Sequence, residues 1–315
     1  MFQILKAEKT IDFMRWSKFA FIFSLLMIGA SIFTLSTKWL NWGLDFTGGT
    51  LIEVGFEQPA NLEEIRSALE AKGFGDATVQ NFGSARDVMV RLRPREDMAG
   101  ETLGNQILSA IKEGTGKAVE MRRIEFVGPN VGDELTEAGG LAILVSLICI
   151  LIYVSMRFEW RLAAGAVMAL AHDVIITLGV FSLMQIEVDL TIVAALLTVV
   201  GYSLNDTIVV FDRIRENFRK MRKGEPAEIM NSSITQTLSR TLITSGTTLF
   251  VVIALFVQGG VMIHGFATAL LLGITVGTYS SIYVASALAL KLGIQKEHLM
   301  PPQVEKEGAE FEEMP

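Results

Sequence analysis

Six long apolar stretches divide the chain, and each approaches the length that a helix needs to cross a lipid bilayer. A bilayer core requires about 20 consecutive, mostly apolar residues in helical form. Short polar segments separate the stretches, except that a long polar segment follows the first one. The pattern therefore predicts six transmembrane helices, at 19–35, 139–156, 162–184, 188–211, 234–257 and 266–290.

The long polar segment, residues 38–138, alternates between the two periods of regular structure. Four pieces alternate apolar and polar residues as strands do, and two repeat apolar residues at helical spacing. Their order, β-α-β-β-α-β, is that of the ferredoxin-like split βαβ unit. The segment shows no nucleophile–base pair or phosphate loop, so we expect a binding or mechanical domain rather than an enzyme. The pieces are TLIEVGF, NLEEIRSALEAKG, ATVQNFG, DVMVRLR, ETLGNQILSAIKEG and KAVEMRRIEFV.

Composition agrees with a membrane protein. Half of the 315 residues are hydrophobic, 19% are charged and the net charge is −7, whereas soluble domains average about a quarter charged residues. The one cysteine, Cys149, lies in an apolar stretch, and three scattered histidines form no ligand set. We therefore expect no disulfide, metal, cofactor or nucleic acid. The predicted fold class is an α-helical polytopic membrane protein with six transmembrane helices and one α+β ferredoxin-like domain.

Lysine and arginine residues near the spans predict how the chain is oriented. Such residues are enriched on the cytoplasmic side, and long translocated domains are exempt from this rule. The turns at 185–189 and 258–264 contain none. Both termini are therefore predicted to be cytoplasmic, and the domain at 38–138 to be periplasmic if the organism is a Gram-negative bacterium. The basic residues are Lys6, Lys9, Arg15, Lys18, Arg157, Arg161, Arg213, Arg215, Arg219, Lys220, Arg222 and Lys223.

These assignments divide the chain into four parts. Within the third part, residues 212–233 are predicted to be a basic cytoplasmic loop that contacts anionic lipid head groups or a cytosolic partner. Gly273 and Gly277 in the last span have the small-xxx-small spacing that suits close helix contact. The parts are the cytoplasmic N-terminus and first span (1–37), the periplasmic α+β domain (38–138), the bundle of spans two to six (139–291) and an acidic cytoplasmic tail (292–315).

Two glycine-containing segments join the domain to the membrane. GLDFTGG leads into a strand and has no lysine, so it lacks two features of a phosphate-binding loop. Glycine permits a tight turn here, and FVGPNVGDEL turns back into the second span. We expect Asp45 to be a solvated surface acid and both segments to couple the domain to the helices. The expected coupling residues are Gly43, Asp45, Gly48, Gly49, Gly128, Pro129 and Asp133.

Three ionisable residues lie inside the predicted spans, where a buried charge is costly and usually has a function. Asp206 and Arg240 are each about six residues from the cytoplasmic ends of spans four and five, so both lie about 9 Å deep. These spans are antiparallel neighbours, which makes an Asp206–Arg240 pair, direct or through water, geometrically possible. Asp173 lies nearer the midplane of span three, directly after His172.

Polar residues around these positions favour a hydrated path over a dry contact. We predict that Asp206 and Arg240 carry proton transport, because a carboxylate beside a movable cation can take up and release a proton. The alternative is a structural ion pair that only locks two helices together. Asp173 is open to either role, and His172 is expected to be a satisfied packing residue. The predicted lining residues are Ser203, Asn205, Thr207 and Thr244.

Several long motifs resemble the SecF family, the smaller membrane subunits of SecD–SecF protein-export complexes and relatives of the resistance-nodulation-division transporters. The resemblance covers nearly the whole chain. It implies pairing with SecD and use of the proton-motive force to help preproteins finish crossing the inner membrane after the SecYEG channel and the SecA motor. It also implies that Asp206 and Arg240 match the family's proton-transport residues. The motifs are GLDFTGG, FVGPNVGDEL, AHDVIITLG, GYSLNDTIVVFDRIRENFRK and QTLSRTLITSGTT.

Two other functions remain open from the sequence. A scaffold subunit that only stabilises other translocon subunits would tolerate neutral substitutions at Asp206. Half of a proton-coupled small-molecule exporter would show an aromatic or charge-lined pocket in the external domain, and the domain sequence shows no such feature.

Overall fold

The architecture is that of a computed structural model, which describes residues 10–94, 100–221 and 224–299. Within these described residues, six helices are long and apolar enough to cross a membrane, which confirms the predicted number of spans. They extend over Met14–Thr37, Pro129–Arg157, Trp160–Met184, Leu190–Lys220, Pro226–Gln258 and Gly260–Lys291. The predicted basic residues Lys6, Lys9, Arg222 and Lys223, and positions 300–315 of the predicted tail, lie outside the described residues.

The elements follow the predicted order of one membrane helix, the α+β domain and five further membrane helices. The last membrane helix is interrupted by a π-helical segment at Ser281–Ala285, which no sequence pattern indicated. In chain order the elements are α1 (Ser17–Thr37), β1 (Asn41–Trp42), α2 (Leu44–Thr47), β2 (Gly49–Phe56), α3 (Leu62–Ala71), β3 (Thr78–Phe82), β4 (Ser84–Leu92), α4 (Gly100–Thr115), β5 (Val119–Val127), α5 (Pro129–Arg157), α6 (Trp160–Met184), β6 (Glu187–Val188), α7 (Leu190–Lys220), α8 (Pro226–Gln258), α9 (Gly260–Ser280) and α10 (Ser286–Lys291).

The α+β domain has the ferredoxin-like arrangement that its periodicity predicts. Its four strands form one antiparallel sheet in the order β3-β4-β2-β5, so that β4 lies between β2 and β3. Helix α3 begins where the Asn61 side chain accepts a hydrogen bond from the Glu63 backbone N–H, which satisfies one free donor of the first turn. Ile52, Ile65 and Ile107 are fully buried and pack the helices against the sheet.

Helix α5 begins at Pro129 rather than at Gly139, where the apolar run starts. Proline suits the first helical turn because the N–H that it lacks would have no partner there. The polar residues that follow Pro129 are compatible with a helix, so the Gly128–Pro129 pair marks a helix start and not an isolated turn. Strand β5 ends at Val127, so the domain runs almost directly into a membrane helix.

The prediction that residues 212–233 form a loop is wrong, because most of the segment is helical. Helix α7 continues to Lys220 and α8 begins at Pro226. Arginine and lysine are good helix formers, so they end an apolar run without ending the helix. The Asn217 Nδ2 amide donates to Ser233 Oγ at 2.9 Å and ties the two helices into an antiparallel hairpin.

Helices α6, α7 and α9 form the centre of the bundle, and α1, α5 and α8 bury only a small share of their apolar stretches inside the chain. The glycines of α9 lie against α7. A β-carbon added at Gly273 would lie 2.2 Å from Val199, and one at Gly277 would lie 3.0 Å from Ser203 Cβ. The small-xxx-small spacing therefore marks a close helix contact.

Candidate functional site in the membrane-spanning bundle

Asp206 is buried at the meeting point of three helices. Its side chain on α7 is 3% exposed. Its Oδ2 accepts a hydrogen bond of 3.3 Å from Ser245 Oγ on α8, and Ser245 Oγ in turn accepts one of 2.8 Å from Thr278 Oγ1 on α9. The carboxylate therefore has a neutral hydroxyl chain as its contact, which a single sequence could not reveal.

Arg240 does not form a direct ion pair with Asp206 in the part of the chain that the structure describes. The guanidinium side chain is exposed on α8, although it is close enough to act electrostatically on the Asp206 carboxylate. Asn205, next to Asp206, is exposed as well. The two residues are therefore neighbours, as their equal predicted depth in the membrane suggested. Their side chains do not form the direct ion pair that this depth made possible.

Asp173 is the centre of a second polar cluster, and its side chain is 1% exposed. Its Oδ2 accepts hydrogen bonds from Ser203 Oγ on α7 at 2.6 Å and from Ser280 Oγ on α9 at 2.8 Å. Its Oδ1 lies 2.8 Å from His172 Nδ1. His172 is also buried, and its Nε2 has no hydrogen-bond partner among the residues that the structure describes. The expectation that His172 is a satisfied packing residue is therefore wrong.

The four predicted lining residues do not form one wall around Asp206. Ser203 belongs to the Asp173 cluster, and Thr207 Oγ1 donates to the Ser203 carbonyl at 3.1 Å. Thr244 Oγ1 donates to the carbonyl of Arg240 at 3.0 Å. Hydroxyl groups on helices often bond the preceding turn in this way. Of the predicted set, Ser203 donates a hydrogen bond to a buried carboxylate, that of Asp173.

The GLDFTGG segment contacts the start of α7, which carries Asp206. Asp45 Oδ2 accepts a hydrogen bond of 2.9 Å from the Leu190 backbone N–H, so the expectation of a solvated surface acid is wrong. A carboxylate at this place satisfies a free donor of the helix and interacts favourably with its dipole. Gly43 N–H donates to Val188 O at 2.7 Å, and strands β1 and β6 pair in parallel.

Gly48 and Gly49 adopt backbone angles that favour glycine, with φ of 63° and 121°. A β-carbon on Gly49 would lie 2.2 Å from Leu92 O, and one on Gly132 of α5 would lie 3.1 Å from Gly48 N. The two predicted connections therefore meet each other. Gly128 and Pro129 start α5, and Asp133 is exposed on its first turns.

An ion pair that the sequence analysis missed links the sheet to the turn between α6 and α7. Arg91 of β4 donates to Glu187 Oε1 at 3.1 Å and to Trp42 O at 2.9 Å, and also contacts Thr47 Oγ1. Burial raises the pKa of the Glu187 carboxyl above its ordinary value, although the Arg91 charge acts in the opposite direction. No local pattern marks such a contact, because its two residues lie far apart in the sequence.

A second contact from the domain reaches the first turn of α9. Arg123 of β5 lies beside Met262, with 3.2 Å between a guanidinium nitrogen and the sulfur. Gly83, in the β3–β4 hairpin, lies against Val261, whose side chain would be 2.5 Å from an added β-carbon. The domain therefore touches the start of α7, which carries Asp206, and the start of α9, which carries Thr278 and Ser280.

Fold and site together define an integral membrane protein with buried carboxylates in its helical bundle and an α+β domain beside one membrane face, as in a membrane transport subunit. Residues 107–295 match the family described as protein export membrane protein SecD/SecF, C-terminal, and residues 33–60 match the SecD/SecF GG motif. The chain therefore belongs to the SecD/SecF family, as one of its SecF protein translocase subunits.

SecF proteins of two bacteria align with all or nearly all of the chain. It is 91% identical over 315 residues to the protein translocase subunit SecF of Vibrio alginolyticus, with all of both chains covered. It is 56% identical to SecF of Escherichia coli O157:H7, covering 98% of this chain and 96% of that protein.

Two crystal structures of SecDF resemble this chain. SecDF of Thermus thermophilus, a translocon-associated membrane protein, matches 92% of the chain with a TM-score of 0.82 at 38% identity. SecDF in a super-membrane-facing form matches 93% with a TM-score of 0.67 at 40% identity. The chain spans 39% of the length of each SecDF chain.

Proposed function

We propose that the chain pairs with SecD and uses the proton-motive force to assist late preprotein translocation across the bacterial inner membrane. Its role is mechanical rather than enzymatic. Asp206 takes up and releases a proton, Arg240 responds to the change in charge, and the helices repack. Similarity to SecDF, a translocon-associated protein in Thermus thermophilus, supports SecD and the SecYEG translocon as partners and a translocating preprotein as the load.

The observation that carries the proposal is that Asp206 is buried and that no cation of the described residues contacts it directly. Its contact is the Ser245 hydroxyl, which can serve a charged or a neutral carboxyl. A buried charge without an ion pair costs several kcal/mol. Burial therefore favours the protonated form of Asp206, and an approach of the Arg240 guanidinium favours the charged form.

The exposure of Arg240 and Asn205 supports a second membrane subunit. Both side chains point out of the bundle although they lie in membrane-spanning helices. Polar side chains that face lipid are costly and are usually covered by another helix or by a water-filled cavity. SecD helices packed on this face would give Arg240 a polar environment while leaving Asp206 close by.

Contacts at the outer ends of the helices can pass the motion to the α+β domain. Asp45 holds the first turn of α7, and Arg91 holds Glu187 just before α7. Repacking of α7 therefore pulls on two points of the domain, and the domain acts on the emerging polypeptide. We place this domain in the periplasm and both termini in the cytoplasm, following the distribution of basic residues.

Export of a preprotein into proton-energised membrane vesicles tests the proposal. The vesicles contain the chain together with SecD and SecYEG, with Asp206→Asn compared against wild type. We expect Asp206→Asn to assemble normally and to lose the part of export that depends on the proton gradient.

Asp189→Asn is the matched control, because asparagine also caps a helix and only the charge at the outer end of α7 is removed. Its export should equal that of wild type. Normal gradient-dependent export by Asp206→Asn would instead support a scaffold subunit and refute the proposal.

A further inference from the structure

His172 and Asp173 form a buried ionisable pair that the function proposed for Asp206 does not use. We propose that this pair is a second proton-binding site, at which His172 Nε2 takes up the proton, and that it acts together with Asp206. The joint action rests on the proposed proton-coupled function, whereas the uptake of a proton by His172 does not.

The hydrogen bonds of Asp173 suit a charged carboxylate, which can accept from several donors at once. Two hydroxyls can donate to its Oδ2, and an Nδ1–H of His172 can donate to its Oδ1. The nearby Gly277 carbonyl, 3.1 Å from Ser280 Oγ, competes for only one of these donors. Three donors around one carboxylate stabilise its charged form.

The second ring nitrogen of His172, Nε2, is then the atom of the pair at which a proton can be gained or lost. With Nδ1 as donor, a neutral imidazole leaves Nε2 with a free lone pair, and this atom is buried without a partner. A proton that arrives from water and bonds to Nε2 gives an imidazolium beside the Asp173 carboxylate. The net charge of the pair changes from −1 to zero, which lowers the cost of burial in the membrane.

The surroundings leave Asp173 as the charged group that faces His172. Helix α9 contributes Tyr279, whose ring lies 6.3 Å from the imidazole, and the π-helical segment contributes Tyr283 beside it. Helix α1 has no ionisable residue between Lys18 and Lys38. Other elements that contact α6 also carry titratable groups: α7 carries Tyr202 and the buried Asp206, Cys149 and Tyr153 of α5 are exposed, and Lys291 of α10 lies over the Phe21 ring.

Two helices connect this pair to the Asp206 site. On α7, Ser203 binds Asp173 and lies one turn before Asp206. On α9, Ser280 binds Asp173, and Thr278 reaches Asp206 through Ser245. A proton gained at either site changes the hydroxyl bonds on the same two helices, so occupation of one site alters the other.

Nitrogen NMR of the imidazole tests the proposal directly, because the chain has only three histidines. His264 and His298 are both exposed, so His264→Gln and His298→Gln leave His172 as the single reporter. The full-length chain is labelled with ¹⁵N-histidine, purified without a histidine tag and placed in lipid bilayers. Spectra are recorded over a range from about pH 8 to about pH 5, and we expect the signal to change from one protonated nitrogen to two as the proton concentration rises.

Two further variants separate the parts of the proposal. Asp173→Asn removes the counter-charge and should abolish the doubly protonated signal in this range. Asp206→Asn should shift the pH at which the signal changes, and an unchanged titration would overturn the link between the sites. If His172 keeps a single protonation state across the range, the proton site itself is overturned. This result is read from the chain with Asp173 and Asp206 unchanged, so it does not depend on a substitution in the core. Normal export by Asp206→Asn would refute the proposed function and leave the His172 result standing.

Discussion

Two buried carboxylates on neighbouring helices differ in how fully their oxygens are satisfied. Asp173 has three partners at 2.6 to 2.8 Å, whereas Asp206 has one hydroxyl donor at 3.3 Å. The better-satisfied carboxylate is suited to remain charged, and the other is suited to change its charge. This difference is the physical reason for assigning the variable proton to Asp206 at one site and to His172 at the other.

Gly49→Ala should severely destabilise the junction between the domain and the membrane. The substitution places a methyl group 2.2 Å from Leu92 O and holds alanine at a φ of 121°, so we expect a loss of about 3 kcal/mol or more. Gly116→Ala is the control, since its φ is 62° and its β-carbon would meet nothing, and it should cost about 1 kcal/mol. Thermal unfolding followed by tryptophan fluorescence measures both, and equal midpoints would contradict the account.

The positions of the charged residues within the spans could be predicted from the sequence, but their contacts could not. An ionisable residue in an apolar run is a local property, which is why Asp206, Arg240 and Asp173 stand out. Successive helical residues point about 100° apart. Asn205 therefore faces outward while Asp206 faces inward, and the sequence alone does not say which way the helix is turned. Ser245 became the partner of Asp206 only through the packing of α8 on α7.

At the scale of elements, long periodic segments could be predicted and short ones could not. The six spans and the domain's strands and helices repeat their pattern over several turns or pleats. Strands β1 and β6 and helix α2 have two to four residues each, too few to show a period. They exist because the chain leaving α1 pairs with the chain entering α7, which is a tertiary contact.

The Arg91–Glu187 contact predicts an asymmetric response to neutral substitutions. Arg91→Gln leaves a partly buried Glu187 carboxylate unpaired and removes bonds to Trp42 and Thr47, so it should destabilise the junction by about 1–2 kcal/mol at neutral pH. Glu187→Gln removes a carboxylate that burial already disfavours and should cost little. Hydrogen exchange of the β4 and β6 amides measures the difference.

The same contact has a pH dependence of known sign. Burial raises the pKa of Glu187 above 4.5, so the native state binds this proton more tightly than the unfolded state. The contribution of Glu187 to stability is therefore present at low pH and is lost as pH rises through the window above 4.5. The defect of Arg91→Gln should shrink toward about pH 4, where Glu187 becomes protonated. An equal defect at both pH values would contradict this.

At the scale of the whole molecule, the outward-facing polar residues of α7 and α8 predict a covered face. In a cysteine-free background made by Cys149→Ala, an Asn205→Cys thiol should react with a maleimide when the chain is expressed alone. Co-expression with SecD should suppress the reaction. Labelling after unfolding in detergent sets full reactivity, and equal labelling with and without SecD would place the partner elsewhere.

The central claim is that the Asp206 carboxyl changes its charge within the membrane. Infrared difference spectra between low and high pH, recorded on the complex with SecD in lipid, detect the C=O stretch of a protonated carboxylic acid. We expect a band in wild type that disappears in Asp206→Asn and persists in Asp189→Asn, where the helix cap is retained. A spectrum that is the same in wild type and Asp206→Asn would contradict the central claim.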